Sequence, residues 1–405
     1  MSEPICHRSG AALDSRKSLI SVGTDSRGVA LDSTVRPQAE PLLRPEMPEL
    51  DAIRGLAILG VLVYHGLYWG VDLSQFSKFE RVILTGMWVG RLGVNLFFVL
   101  SGFLITGLLV DGRSKSNYYS RFYIRRGLRI LPAYSLTILI LLVTRLAPLK
   151  FIVLSALYVS NLTPLLGVAI AYPVLWSLAV EEHFYFLWPL AVRAWANRKL
   201  LGLLGFVIIF SPVSRLISFY LTSSNGFVSY VCNDYTWNAL DGLACGAALA
   251  ICLRQFNPSR GMFQKALSSV LVIALIIWGI GFRLGILTRQ EPLGAALQVT
   301  PWHFLFVAFI GLCLLFGSSP HKRFVQVKSL RLLGEVSYGL YLYHLLIFAL
   351  FDYLVKRTGI SVTVGPIFML LARFFIVAAI AIPASLLSRR LFEDRFLNLK
   401  KMLAP

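Results

Sequence analysis

Arg54 and His65 stand eleven residues apart in one apolar segment, LDAIRGLAILGVLVYH. On a helix that spacing returns the second side chain to nearly the face of the first, about 16 Å along the axis. A forked cation and an imidazole able to move a proton then share one stripe at two depths. Inside a membrane both are costly unless something uses them. Of the twenty acidic residues, Glu181, Glu182 and Asp241 fall well inside apolar segments, where each costs roughly 2.5–3.5 kcal/mol unless paired or protonated. Ser337, Tyr341 and His344 follow at i, i+4 and i+7 on one helix face. Imidazoles beside carboxylates suit general acid–base work on a hydroxyl. The segment SRFYIRRGLRILP brings together Arg121, Arg125, Arg126 and Arg129. Guanidiniums hold phosphate well because they stay charged and donate in a fork, so a phosphorylated cosubstrate suits that cluster.

Composition says what must position these groups. Hydrophobic residues make up 57% of the 405 and charged residues only 15%, and the mean hydropathy is +0.70. That is more apolar surface than a soluble core buries. The reading is an all-α, polytopic membrane protein. A net charge of +19 suggests nucleic acid at first sight, but the Lys and Arg lie in short clusters between apolar segments, as topology signals do.

Spanning-length segments run over 50–68, 90–110, 127–144, 174–192, 200–221, 236–253, 266–287, 299–317, 332–354 and 362–388. A further stretch, 151–166, is broken by Ser155, Ser160, Asn161 and Pro164. If it does not cross, the basic clusters from Arg113 to Arg129, Arg193 to Lys199 and Arg389 to Lys401 share one side. Crossing would erase that bias. About ten transmembrane helices with both termini cytosolic are therefore expected. Residues 1–46 are polar with balanced charge and read as a disordered cytosolic tail ahead of a membrane domain over 47–400. This topology puts His65, His344, Glu181, Glu182 and Asp241 at one outer level, with Arg54 and the Arg121–Arg129 set at the cytosolic level.

The blocks LDAIRGLAILGVLVYH, FFVLSGFLIT, RRGLRILPAY, LWSLAVEEHFYFLWP, LDGLACGAALA and SYGLYLYHLLI together resemble the acyltransferase-3 family of bacterial integral-membrane O-acyltransferases. The resemblance covers about residues 48–400. It implies transfer of an acyl group, usually acetyl, from cytosolic acyl-CoA to a hydroxyl of a carbohydrate or glycolipid at the cytoplasmic (inner) membrane. It also implies functional roles for Arg54, His65, Arg126, Arg129 and Glu181. Acyl-CoA is then a cosubstrate and no cofactor is permanently bound. Some members carry a carboxy-terminal esterase-like domain. The expectation here is that none follows the tenth span and that any second transfer step needs another protein. His183 stands where members often have Gln and receives no role.

On this reading Arg126 and Arg129, with Arg54 and Arg125, hold the CoA phosphates. His65 is the general base, with Glu181 setting its tautomer; an acyl-histidine intermediate is the alternative. Asp241, Tyr341, His344, Trp176 and Glu182 line the pocket, where Tyr341 or Trp176 donates to the oxyanion. Each assignment has a plainer alternative. His65 can bridge helices as a neutral buried ring, and Arg54 can pair with Asp51 and snorkel. The arginine cluster can be a topology signal alone, and Asp241 a helix-packing bond. Glu182 points about 100° from Glu181, so one of the two is structural. His7, His303 and His321 read as structural or solvated. Cys6, Cys232, Cys245, Cys252 and Cys313 are too scattered for a disulfide framework or metal site. The expected partners are the bilayer, the acceptor and acyl-CoA, with a homo-oligomer or glycan-synthesis proteins as further candidates and no nucleic acid. Competing functions are a secondary transporter or flippase, and a noncatalytic family member.

Overall fold

A computed structural model describes residues 42–222, 234–284, 291–317, 327–358 and 365–403. The expected tail up to residue 41, together with Cys6, His7, Cys232 and His321, lies outside the described residues. Contacts divide the chain into a unit of residues 1–40 and a unit of 41–405; the described helices all belong to the second.

Among the described residues the regular structure is helical. The elements are α1 (Pro48–Leu67), α2 (Lys78–Gly86), α3 (Leu92–Gly112), α4 (Tyr118–Thr144), α5 (Leu149–Ala156), α6 (Leu175–Ala194) and α7 (Asn197–Thr222). They continue with α8 (Thr236–Phe256), α9 (Arg260–Arg283), α10 (Pro292–Leu297), α11 (Thr300–Gly317), α12 (Lys328–Thr358) and α13 (Pro366–Ser388). Each of the ten expected spans falls on one of these helices. Among the described residues nine stretches are long and apolar enough to cross a membrane. The remaining expected span, 174–192 on α6, has the length but carries Glu181, Glu182 and His183, which lower its apolarity. The stretch 151–166 does not cross. It is split into the eight-residue α5 and a 3-10 turn over Ser160–Leu166, and α5 reaches only about 12 Å against a core of about 30 Å. Tyr158, at φ 58, breaks the chain between them.

The bundle centres on α1, α3, α8 and α12. α1 packs along α12 and α3, and α3 along α8. Lipid gives helices no hydrophobic reason to associate, so close approach through small residues carries the packing. A methyl group on Gly102 would run into the Leu243 carbonyl, and one on Gly246 into the Val99 carbonyl, so α3 and α8 meet backbone to backbone. Gly55 and Gly334 do the same between α1 and α12. α9 and α13 are mostly unburied, while α8 is largely enclosed. Exposed Phe206, Ile209, Phe282 and Phe375 belong to the lipid-facing shell.

α4 begins at Tyr118, so Arg121, Arg125, Arg126 and Arg129 all stand within its amino-terminal turns, ahead of most of the expected span 127–144. Hydropathy trims such polar first turns from a span.

Candidate active site

Three cavities lie along α3. The first, about 350 Å³, is lined by His65 of α1, Asn95 of α3, Trp176 of α6, Asp241 of α8 and His303 of α11, with Trp69 and Trp88. The second, about 280 Å³, is lined by Arg54, Ser101, Arg126, Arg129, Glu181 and Tyr185. The third, about 890 Å³, opens among Lys115, Arg121, Arg125, Arg126, Arg129 and Arg254. Val94, Phe98 and Tyr341 border both the first and the second. Leu104, Ile105, Leu108, Arg126 and Arg129 border both the second and the third. From Val94 to Leu108 α3 rises about 21 Å, so the series follows one helix across much of a bilayer core.

At the first cavity His65 is 9% exposed. Its Nδ1 lies 3.1 Å from the Val61 carbonyl oxygen and 3.2 Å from Nε2 of the fully buried His344. Trp69, one turn on, meets the His65 ring edge-on at 5.6 Å. Trp176 packs edge-on against Phe98 at 5.8 Å. The Tyr341 hydroxyl is 2.6 Å from Ser177 Oγ, which holds the ring at the border of the two inner cavities.

Asp241 also lines the first cavity, but its carboxylate is already engaged. Arg215 donates to both oxygens at 3.2 and 3.0 Å, and Thr300 donates at 3.0 Å. His303 Nδ1 lies 3.2 Å from the same carboxylate, and His303 Nε2 is 2.9 Å from Asn95 Oδ1. Arg215 further donates to the carbonyls of Ala296 and Asn238 and to Thr300 Oγ1. All five of its N–H groups are therefore used, as a buried guanidinium requires.

The second cavity gathers the expected cations and one expected acid. Arg126 reaches Glu182 at 3.8 Å and Glu181 at 4.0 Å, and its guanidinium lies 3.7 Å over the Tyr185 ring. Glu181 lines the cavity and Glu182 does not. Arg54 donates to Asp51 at 2.7 Å while lining the same space. Arg129 differs: its charged neighbours are mainly cations, Arg54, Arg126, Arg389 and Lys400, with Glu393 further off, and among the described residues no carboxylate lies within ion-pair distance of it. That concentrates positive potential where the second and third cavities meet.

The sequence expectation of Glu181 behind His65 is not what the structure brings together. Glu181 faces Arg126 in the second cavity, and the group against His65 is His344. Reasoning by depth along each helix places residues at a level but not around it. Two further groups escape such reasoning. Arg215 is visible in the sequence as a cation inside an apolar span, the natural complement of Asp241. His303 lies at the first turn of α11 and reads there as a loop-end residue. Asn95 carries no signal beyond being polar in an apolar helix. His183 hydrogen-bonds Thr236 Oγ1 at 2.7 Å, away from these cavities. Among the described residues no three His, Cys, Asp or Glu side chains converge as metal ligands.

The family described as an acyltransferase domain matches residues 47–390. The chain belongs to this acyltransferase-3 family. Similar proteins include an O-acetyltransferase OatA of Staphylococcus aureus, 28% identical over 74% of this chain and 50% of that protein. A peptidoglycan O-acetyltransferase OatA of Listeria monocytogenes is 28% identical over 74% of this chain and 49% of that protein. A putative peptidoglycan O-acetyltransferase YrhL of Bacillus subtilis is 27% identical over 74% and 48%. The chain spans about half the length of these curated relatives. No solved structure matches it significantly. This family member is thus a multi-pass membrane acyltransferase by class, with its buried His65 and its arginines at opposite ends of one series of cavities.

Proposed function

We propose that this acyltransferase moves an acyl group, usually acetyl, from cytosolic acyl-CoA to a hydroxyl of a carbohydrate or glycolipid on the far side of the cytoplasmic membrane. The observation that carries the reading is the continuous series of cavities from Arg129 to His65 along α3. Residues 47–400 form the membrane domain, 1–46 a tail, and both termini are cytosolic, with the basic end inside.

The CoA phosphates dock on Arg129 and Arg126, with Arg125 and Arg54 beside them, and the pantetheine arm follows the second cavity to its border. There the thioester carbonyl meets Tyr341, whose hydroxyl donates to the developing oxyanion. The acceptor occupies the first cavity, where Trp69, Trp88 and Trp176 offer faces on which a sugar ring stacks. His65 takes the hydroxyl proton as the acceptor oxygen attacks the carbonyl carbon. Collapse of the tetrahedral intermediate breaks the C–S bond, and the CoA thiolate recovers the proton from the His65 imidazolium. The similarity to a peptidoglycan O-acetyltransferase and to a protein named as a putative one supports a glycan acceptor.

The test is purified full-length protein in nanodiscs with acetyl-CoA and a peptidoglycan fragment as acceptor, following CoA thiol release. His65→Ala should abolish release while acetyl-CoA still binds. Equal turnover by His65→Ala, or gradient-driven flux of acetyl-CoA without thiol release, would overturn the reading.

A further inference from the structure

His344 packs against the side of His65 turned away from the acceptor cavity: His65 lines that cavity and His344 does not. The hydrogen-bond directions between them can be worked out atom by atom. His344 Nδ1 is 3.0 Å from the Leu340 carbonyl. A carbonyl only accepts, so Nδ1 carries the proton and the neutral ring leaves Nε2 bare. That bare nitrogen faces His65 Nδ1 at 3.2 Å. His65 Nδ1 also faces the Val61 carbonyl at 3.1 Å. With an acceptor on both sides, His65 keeps its proton on Nδ1. Its Nε2 is left with the free lone pair.

We propose that His344 is the positioning residue of this acyltransferase, fixing the ring and tautomer of His65 so that Nε2 serves as the base. The inference rests on the proposed role of His65 as general base. His344 takes the part that a carboxylate plays in a hydrolase triad, with one difference. At rest the pair is neutral, so no charge is left unpaired in the bundle interior. When the acceptor hydroxyl gives its proton to Nε2, His65 becomes a cation and its Nδ1–H bond to His344 becomes charge-assisted. The proton returns from Nε2 to the CoA thiolate, and His344 neither gains nor loses one. The other charged and titratable groups facing this pair are few. Tyr64 meets the His65 ring edge-on at 5.0 Å, Arg91 comes from the 3-10 turn before α3, and Asp234, Asp241, His303 and Tyr341 share the cavity. From α13, Arg373 donates to the Gly66 carbonyl at 3.3 Å and is paired with Asp352.

Three substitutions separate positioning from packing, each measured as CoA thiol release from acetyl-CoA, with a peptidoglycan fragment as acceptor, by the full chain in nanodiscs. His344→Phe fills the space but cannot accept a hydrogen bond. It should lower kcat about 10–150-fold, the worth of a hydrogen bond to a charged group, with acetyl-CoA binding kept. His344→Gln places an amide oxygen near the position of Nε2 and should recover most of that loss. His344→Glu places a carboxylate there and should move the acidic limb of the pH–kcat profile upward, because a neighbouring negative charge raises the basicity of His65. A side chain at position 344 out of contact with the base in the working enzyme would leave that profile in place, while the Phe and Gln pair separates hydrogen bonding from packing. The inference is overturned if His344→Phe keeps wild-type kcat, if Gln does no better than Phe, or if Glu leaves the limb unmoved. Should the Phe variant not fold, the Gln and Glu variants decide by the same criteria. His65→Ala runs alongside: if it retains turnover, the general-base reading itself fails, whereas its inactivity with an indifferent His344 sinks this inference alone.

Discussion

The arginines are not equivalent, and the difference sets a measurable order of effects. Arg54 is satisfied by Asp51 at 2.7 Å, in a half-exposed pair. Arg126 is shared between Glu181, Glu182 and the Tyr185 ring. Arg129 has mainly cations around it and is the one of the three with no carboxylate within ion-pair distance among the described residues, which leaves it the best placed for an incoming anion. A hydrogen bond to a charged group contributes about 1.5–3 kcal/mol, so Arg129→Ala should raise the Kd of acetyl-CoA about 10–150-fold. Arg54→Ala removes a group already spent on a local pair, a contact worth about 0–1 kcal/mol. Its Kd should change by less than about fivefold. Calorimetric titration of acetyl-CoA into nanodisc-held protein reads both. Salt provides an internal check, because screening over about 10 Å at 0.1 M should weaken wild-type binding more than binding to Arg129→Ala. If Arg54→Ala weakens binding as much as Arg129→Ala, or if neither does, the phosphate site is elsewhere.

Arg215→Ala strands Asp241 as a buried charge, and Asp241→Ala strands Arg215; each should cost about 3–5 kcal/mol and lower the thermal midpoint. The double variant Arg215→Met with Asp241→Leu should recover much of that loss, so a double-mutant cycle showing simple additivity would contradict a coupled pair. Gly246→Leu, set against the Val99 carbonyl, should prevent α3 and α8 from closing, seen as loss of the monodisperse peak in detergent; normal folding would refute the backbone contact. Tyr341→Phe removes the hydroxyl held by Ser177. It should lower kcat about 10²–10³-fold, as loss of one oxyanion donor does, with acetyl-CoA affinity kept; an unchanged kcat would remove Tyr341 from the chemistry.

How much is legible in the sequence depends on the kind of statement. The helices carrying Arg54, His65, Arg126, Glu181 and His344 follow from apolar run length, and the exclusion of 151–166 from the spans follows from charge bias between loops. Depth is legible only in part: Glu181, expected at the level of His65, lines the cavity that Arg54 and Arg129 line. Azimuth is not legible. Which side of α6 meets α3 and α8 is set by tertiary packing, and that leaves Glu181 beside Arg126 instead of His65. Arg215 escapes for a different reason: attention to acids inside spans passes over a lone base in the 200–221 span, although a buried carboxylate such as Asp241 implies a buried cation.

The division of the route into separate cavities bears on how acyl transfer across a membrane avoids leakage. A single open channel from Arg129 to His65 would also pass water and ions. Instead Val94, Phe98 and Tyr341 form a shared wall between the two inner cavities, with Tyr341 pinned by Ser177. On the proposed route the donor reaches this wall from one side and the acceptor from the other, so only the acyl group has to cross. The chemistry is then best placed at the wall itself, where Tyr341 can meet the thioester and the neutral His65–His344 pair can serve the acceptor. A charged Glu181 behind His65 would have put an uncompensated anion beside an apolar partition; paired with Arg126 below the wall, it leaves the acceptor side to be run by two neutral rings.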